Sequence, residues 1–239
     1  MRQNFFISLD FDGTVTDRDI TDAIIQEFAA PEWEEAERLW EAGSIGSREC
    51  LSVQMSLIDA PLRRVLAHAD KFSLAPGFTG LVDFFRKHEV PFCIISDGFL
   101  VVIERLLANA GLKGIPVYAN TLAEENGRLK ASFPYSRAQC SSGTCKCRVA
   151  GKLSRGLPVI HIGDGRSDFC VAEKAAYVFS KGKLTGHCKA SGLAHTAFEH
   201  FRTVEEGLAI LLAHTPPAEG AEIHHAYHER WQESWNPAL

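Results

Sequence analysis

Residues 10–16, Asp10-Phe11-Asp12-Gly13-Thr14-Val15-Thr16, close the apolar run of residues 4–11 (NFFISLDF), and this stretch decides the fold. A short apolar run that ends in acids is the pattern of a buried strand stopping at a functional loop. Asp10 and Asp12 alternate along extended backbone, so Phe11 points elsewhere while both acids face the loop region. Gly13 permits a sharp turn, and Thr14 offers a hydroxyl and a backbone amide suited to phosphate. Two acids at this spacing are common in solvated turns. The apolar strand in front and the Gly-Thr behind give the pair its functional weight.

Working outward, two more apolar runs end in the same way. Residues 90–96 (VPFCIIS) lead into Asp97-Gly98, and residues 158–162 (PVIHI) lead into Gly163-Asp164-Gly165. Residues 78–88 and 100–110 have helical periodicity, 116–120 read as a short strand, 176–180 as another, and 203–214 as a closing helix. Asn126-Gly127 predicts a hairpin turn between 121–125 and 128–133. Strands alternating with helices predict an α/β fold, a doubly wound, Rossmann-like parallel sheet covered on both faces. Residues 17–72 differ. Segments 31–42, 47–58 and 61–72 read as helices, the first with acids in its opening turn and Gly43 just past its end. The expected organisation is a core of residues 1–16 and 75–239, with a helical cap, 17–74, inserted after the first strand.

Ligands of open parallel sheets bind beyond the carboxyl ends of the strands, so the three loops should converge. Convergence brings Asp10, Asp12, Asp164 and Asp168 together, and carboxylates so close demand a cation. An all-oxygen donor set suits magnesium better than zinc. One carboxylate attacking phosphorus while another manages protons is the division of labour needed for covalent phosphoryl transfer.

Composition narrows the partners. Of 239 residues, 46% are hydrophobic and 23% charged, with net charge -5 and a pI near 6.1, which leaves no basic footprint for nucleic acid. No apolar run reaches the roughly 20 residues of a membrane helix. Residues 1–4 run at once into the first strand without a small-residue cleavage site, so a cytoplasmic location is expected. A monomer or a homodimer is expected. Cys50, Cys93, Cys170 and Cys188 are scattered, whereas Cys140, Cys145 and Cys147 cluster without an evident local fourth ligand; zinc, a disulfide and reduced thiols all stay open. In the tail, His224, His225 and His228 can set two imidazoles on one helix face, and a polar helix without metal is the simpler reading.

The residues 10–16 resemble motif I of the haloacid dehalogenase phosphatases, DxDGT[VIL]T. Ser96 is similar to motif II, and Gly163-Asp164-Gly165-Arg166-Ser167-Asp168 to motif IV, GDGxxD, in the order the family keeps. The resemblance implies Asp10 as nucleophile and Asp12 as general acid/base. It also implies magnesium held by Asp10, the Asp12 carbonyl and Asp164, with Asp168 as ligand or supporting it, and Ser96 bonding the phosphoryl oxygens with Thr14 and Gly98 nearby. The third motif supplies a cation, for which Lys146, Arg148 and Lys152 are candidates; Lys146 is preferred because a helix N-terminus adds its own positive field there.

Within the family, the Cys145-Lys146 pair is similar to phosphatases of phosphocholine and of methionine salvage. Asp97 resembles the phosphocholine/phosphoethanolamine group. Asp19 stands where phosphoserine phosphatases carry an acid for the substrate ammonium, and it suits a helix N-cap equally. Arg48 is a further candidate for a substrate carboxylate, against a plain surface arginine. The expected activity is magnesium-dependent hydrolysis of a small phosphorylated metabolite through an aspartyl-phosphate, with 2-hydroxy-3-keto-5-methylthiopentenyl-1-phosphate as leading substrate. The alternatives are a phosphocholine/phosphoethanolamine or phosphoserine phosphatase and, from another class, a signalling module phosphorylated on Asp10 that turns over slowly.

Overall fold

The computed structural model describes residues 5–214, so His224, His225 and His228 lie outside the described residues. Its strands are β1 (Phe6–Leu9), β2 (Phe92–Phe99), β3 (Val117–Glu125), β4 (Arg128–Ser132), β5 (Val159–Gly163), β6 (Tyr177–Ser180) and β7 (His195–Ala197). They line up as one sheet in the order β4-β3-β2-β1-β5-β6-β7. The pairs β1–β5, β5–β6, β6–β7 and β2–β3 are parallel, and only the β3–β4 hairpin is antiparallel among the pairs described. A mostly parallel α/β sheet is therefore the architecture, as the alternating pattern predicts. No helix among the described residues is long and apolar enough to cross a membrane.

The chain forms two compact units. Among the described residues the first takes 5–10, Pro76–Cys93 and 146–214. All four residues of β1 are buried, and its register on β5 sets Ser8 beside His161 and Leu9 beside Ile162. Helix α5 (Phe78–Lys87) buries Phe78, Leu81, Val82 and Phe85, the i, i+3, i+4, i+7 stripe of an amphipathic helix. It packs against α10 (Phe201–His214), with the Phe78 and Phe201 rings 5.5 Å apart. Each buried phenylalanine contributes about 2–3 kcal/mol. Helix α7 (Lys146–Ser154) lies against β1 and β5. The 3-10 turn Arg166–Asp168 and the short α8 (Phe169–Ala172) follow β5.

The second unit takes Phe11–Ala75 and Ile94–Cys145. Where the pattern predicts three helices over 17–72, the structure has four: α1 (Ile20–Phe28), α2 (Trp33–Glu41), α3 (Ser47–Ser56) and α4 (Leu62–Ala69). The additional one, α1, starts at Asp19, whose carboxylate accepts the Asp22 N–H at 2.8 Å as an N-cap. Helix α6 (Leu100–Asn109) joins β2 to β3. The strands expected over 116–120 and 121–125 are one continuous β3, and Asn126 and Gly127 take φ of 53° and 76°, as a two-residue hairpin turn requires. The strand expected to stop at Ser96 runs on to Phe99, with a register shift against β3 between Ile95 and Phe99. Ser96, Asp97 and Gly98 thus sit in an irregular stretch of strand, a device that re-aims side chains. Helix α9 (Gly182–Ala190) and β7 have no counterpart in the sequence pattern, because GKLTGHCKA carries two glycines and β7 is three residues long.

Candidate active site

In the first unit, two neighbouring parallel strands end side by side. The Asp10 N–H is donated to Ile162 O at 2.9 Å, which fixes Asp10 just beyond β1, while Asp164 follows the last residue of β5. Asp168 lies in the 3-10 turn, and Lys146 is the first residue of α7. One carboxylate oxygen from each of Asp10, Asp164 and Asp168 lies within 4.8 Å of the others, and among the described residues this is the group able to hold a metal ion. Lys146, 1% exposed, places Nζ 2.7 Å from Asp10 Oδ1, 2.6 Å from Asp168 Oδ1 and 2.9 Å from Ser167 Oγ. Of the three candidate cations, Lys146 is the one on the cluster. Arg148 and Lys152 are exposed.

Three carboxylates gather in this cluster, and the Lys146 ammonium is shared between two of them. Burial first, and then the charge of Asp168, push the Asp10 carboxyl well above the usual carboxylate range, against the pull of Lys146. Asp168 goes the other way. Burial works to raise it, but Lys146 and His161 together hold it below its ordinary value. Its Oδ2 also accepts the N–H groups of Asp164 and Gly165, both at 3.1 Å, so the turn is wrapped around the carboxylate. Oxygen donors of one sign gathered in a buried site fit a hard divalent cation such as magnesium, and they offer no sulfur or nitrogen for zinc.

The second unit carries the other predicted residues. Asp12 Oδ1 accepts Ile20 N–H at 3.0 Å and Oδ2 accepts the Thr21 hydroxyl at 2.9 Å, which ties it to the start of α1. A Cβ at position 98 would collide with Asp12 Oδ2 and stand 3.1 Å from Ser96 Oγ, so Gly98 is what lets these two side chains approach. Ser96 Oγ accepts the Gly98 N–H at 2.9 Å. Thr14 is fully buried, and its N–H is donated to Phe11 O at 3.1 Å within the turn. Asp12, Ser96 and Gly98 are thus brought together.

Asp97 belongs to a different network. Its Oδ1 accepts Thr144 N–H at 2.6 Å and its Oδ2 accepts the Ser47 hydroxyl at 2.5 Å. Asn120 Nδ2 donates to the Asp97 carbonyl at 2.5 Å, and Thr144 Oγ1 donates to Asn120 Oδ1 at 3.2 Å. Asp19 is exposed and caps α1, and Arg48 is half-buried in the first turn of α3. None of the seven cysteines is joined in a disulfide. Sequence reasoning passed over His161, Ser167, Asn120 and Thr144. The one available signal was a polar residue inside an apolar strand, as in PVIHI.

Residues 7–173 match the family model of the haloacid dehalogenase-like hydrolases. The chain belongs to that family. Relatives of this hydrolase include a protein of Brevibacillus brevis, 28% identical over 85% of this chain and 95% of its own, and one of Bacillus velezensis, 30% identical over 87% and 91%. Both are named 2-hydroxy-3-keto-5-methylthiopentenyl-1-phosphate phosphatase. Among solved structures the hydrolase is similar to a substrate-bound phosphoserine phosphatase complex, with a TM-score of 0.65, 16% identity, and coverage of 87% of this chain and 99% of that one. A phosphoserine phosphatase from T. onnurineus gives a TM-score of 0.66 at 18% identity, over 86% and 94%. These structures share the fold. The haloacid dehalogenase-like hydrolase described here is a phosphomonoesterase.

Proposed function

We propose that this hydrolase cleaves a small phosphomonoester by transferring the phosphoryl group to Asp10 and then to water. The observation that supports the reading best is the buried Asp10–Asp164–Asp168 oxygen cluster with Lys146 Nζ on the Asp10 carboxylate. In this reading an Asp10 oxygen attacks phosphorus as the P–O bond to the leaving alcohol breaks. Asp12 gives its proton to the departing oxygen and later takes one from the attacking water. Lys146 offsets the negative charge on the phosphoryl oxygens, a contribution that grows in a buried, water-poor site. Ser96, with Thr14 and Gly98, is assigned to bond the phosphoryl oxygens, as the family resemblance implies. Asp10, the Asp12 carbonyl and Asp164 would hold magnesium, with Asp168 in support, and the ion would supply further charge neutralisation and orientation. Residues 17–74 are proposed to act as a cap that selects the leaving group and excludes water.

The leading substrate is 2-hydroxy-3-keto-5-methylthiopentenyl-1-phosphate, because both curated relatives carry that name. The geometry of Asp97 favours it over a cationic substrate. Both carboxylate oxygens are engaged by Thr144 and Ser47, so an ammonium would have to compete with two short hydrogen bonds. Asp19 is exposed, and one of its carboxylate oxygens already caps α1 by accepting the Asp22 N–H. A panel of phosphorylated metabolites with magnesium tests this. The methylthiopentenyl phosphate should give the highest kcat/KM. A strong preference for phosphocholine, phosphoethanolamine or phosphoserine would replace it. A single burst of phosphate without turnover would point to the signalling alternative.

A further inference from the structure

The cluster rests on a buried residue that the proposed chemistry does not use. His161 stands in the middle of β5 and is fully buried, as are Ser8 and Asp168 on either side of it. The β1–β5 register sets Ser8 directly beside it, and Ser8 Oγ lies 2.9 Å from His161 Nδ1. At the opposite edge of the ring, Nε2 lies 3.1 Å from Asp168 Oδ1, the oxygen that also meets Lys146 Nζ at 2.6 Å. Nε2 makes this approach without a well-directed hydrogen bond, so the interaction is an electrostatic contact across a short gap. Gly163 makes room for it: a Cβ there would lie 2.5 Å from Asp168 Oδ2 and 2.6 Å from His161 Nε2.

A histidine in an all-apolar strand is costly unless both nitrogens face polar groups. Here both do. The outcome is a line Ser8–His161–Asp168–Lys146–Asp10 in which each member limits the freedom of the next. Asp168 cannot rotate away without leaving His161 Nε2 buried and facing no acid. Lys146, a long chain with several rotatable bonds, is held to Asp10 by an acid that is itself held in place.

We propose that His161, backed by Ser8, is a positioning residue that fixes the Asp168 carboxylate and through it keeps Lys146 on Asp10. The inference rests on the reading of Lys146 as the cation that offsets phosphoryl charge. A valine, isoleucine or leucine at position 161 would pack as well in a buried strand, but would leave Asp168 Oδ1 facing only Lys146. Lys146 would then sample positions away from the reacting oxygen, and the loss would fall on the transition state more than on substrate binding.

The test uses the full chain with magnesium, p-nitrophenyl phosphate for kinetics and fluoroberyllate as a phosphoryl analogue whose affinity is read without turnover. His161→Leu should lower kcat about tenfold or more with KM within about twofold, and weaken fluoroberyllate binding by a similar factor. His161→Gln, which keeps an amide near the place of Nε2, should restore most of both. Ser8→Ala should cost about threefold, and that cost should vanish in the His161→Leu background, because Ser8 acts only through the ring. Wild-type kcat and affinity in His161→Leu would overturn the proposal, as would Ser8 and His161 effects that multiply. If His161→Leu does not fold, His161→Gln and Ser8→Ala decide, and a fully active Ser8→Ala would overturn it. Wild-type protein that neither hydrolyses the ester nor binds fluoroberyllate would refute the phosphoryl-transfer reading itself. Binding that His161→Leu leaves unchanged would remove only the positioning role.

Discussion

Asp168 and Asp97 are both carboxylates held by several donors, yet the two regions are built on opposite terms. The Thr144 amide and the Ser47 hydroxyl on the Asp97 carboxylate, and Asn120 on its carbonyl, are neutral donors. One charge is distributed over dipoles, and the result is a fixed loop. Around Asp168 a buried ammonium is shared with a second acid, and a third acid stands within 4.8 Å. That arrangement concentrates charge of one sign in one place. Structural acids are satisfied by the chain alone, whereas an acid cluster of this kind is completed by what binds to it.

The contrast can be broken most severely at Asp10. Asp10→Asn should retain the fold and reduce phosphatase turnover by at least about 10⁴-fold, the scale of losing a nucleophile; steady-state assays together with a melting curve check both halves. Near-normal turnover would end the covalent account. Removing divalent metal with EDTA should abolish activity, and magnesium should restore it. Calcium should not, because it accepts more ligands and looser geometry than an in-line attack tolerates. Activity that persists in metal-free buffer would contradict the reading of the acid cluster.

Smaller effects sharpen the comparison. Lys146→Met should lower kcat by about 10²–10³-fold, the range for losing one preorganised charge-stabilising group. Asp97→Ala should act differently, destabilising the protein by about 1–3 kcal/mol because the buried Thr144 N–H loses its acceptor. Its effect on kcat/KM should be uniform across amine-bearing and neutral phosphoesters. Denaturation midpoints and a substrate panel measure these two consequences separately. A selective loss for phosphoethanolamine or phosphocholine would show that Asp97 meets the substrate.

Much of this site is legible in the sequence because its acids follow strand ends. A run such as NFFISLDF ends where burial ends, so Asp10 can be placed from hydrophobic patterning alone, and Asp164 follows PVIHIG by the same logic. Lys146 follows less directly, through its place at the start of a helix. Ser8 and His161 are not legible. Each looks like an interruption of an apolar run, and only the β1–β5 register brings them side by side. The extension of β2 through Phe99 is equally hidden, since Ser96-Asp97-Gly98 carries loop composition and becomes strand only through pairing with β3. Helix α1 was obscured because ITDAIIQEF is short and lies close to the turn that follows Asp12.

The central claim is that phosphate passes through Asp10, and trapping that intermediate tests it most directly. The Asp12→Asn variant, given magnesium and substrate, should hydrolyse the phosphoenzyme slowly, because water activation is impaired. Acid quenching followed by borohydride converts an aspartyl-phosphate to homoserine, and peptide mass spectrometry then locates it. The account predicts homoserine at position 10 in a substrate- and magnesium-dependent fraction of the protein, and none in the Asp10→Asn variant. Hydrolysis that proceeds with no modified residue, or with the modification elsewhere in the chain, would contradict it.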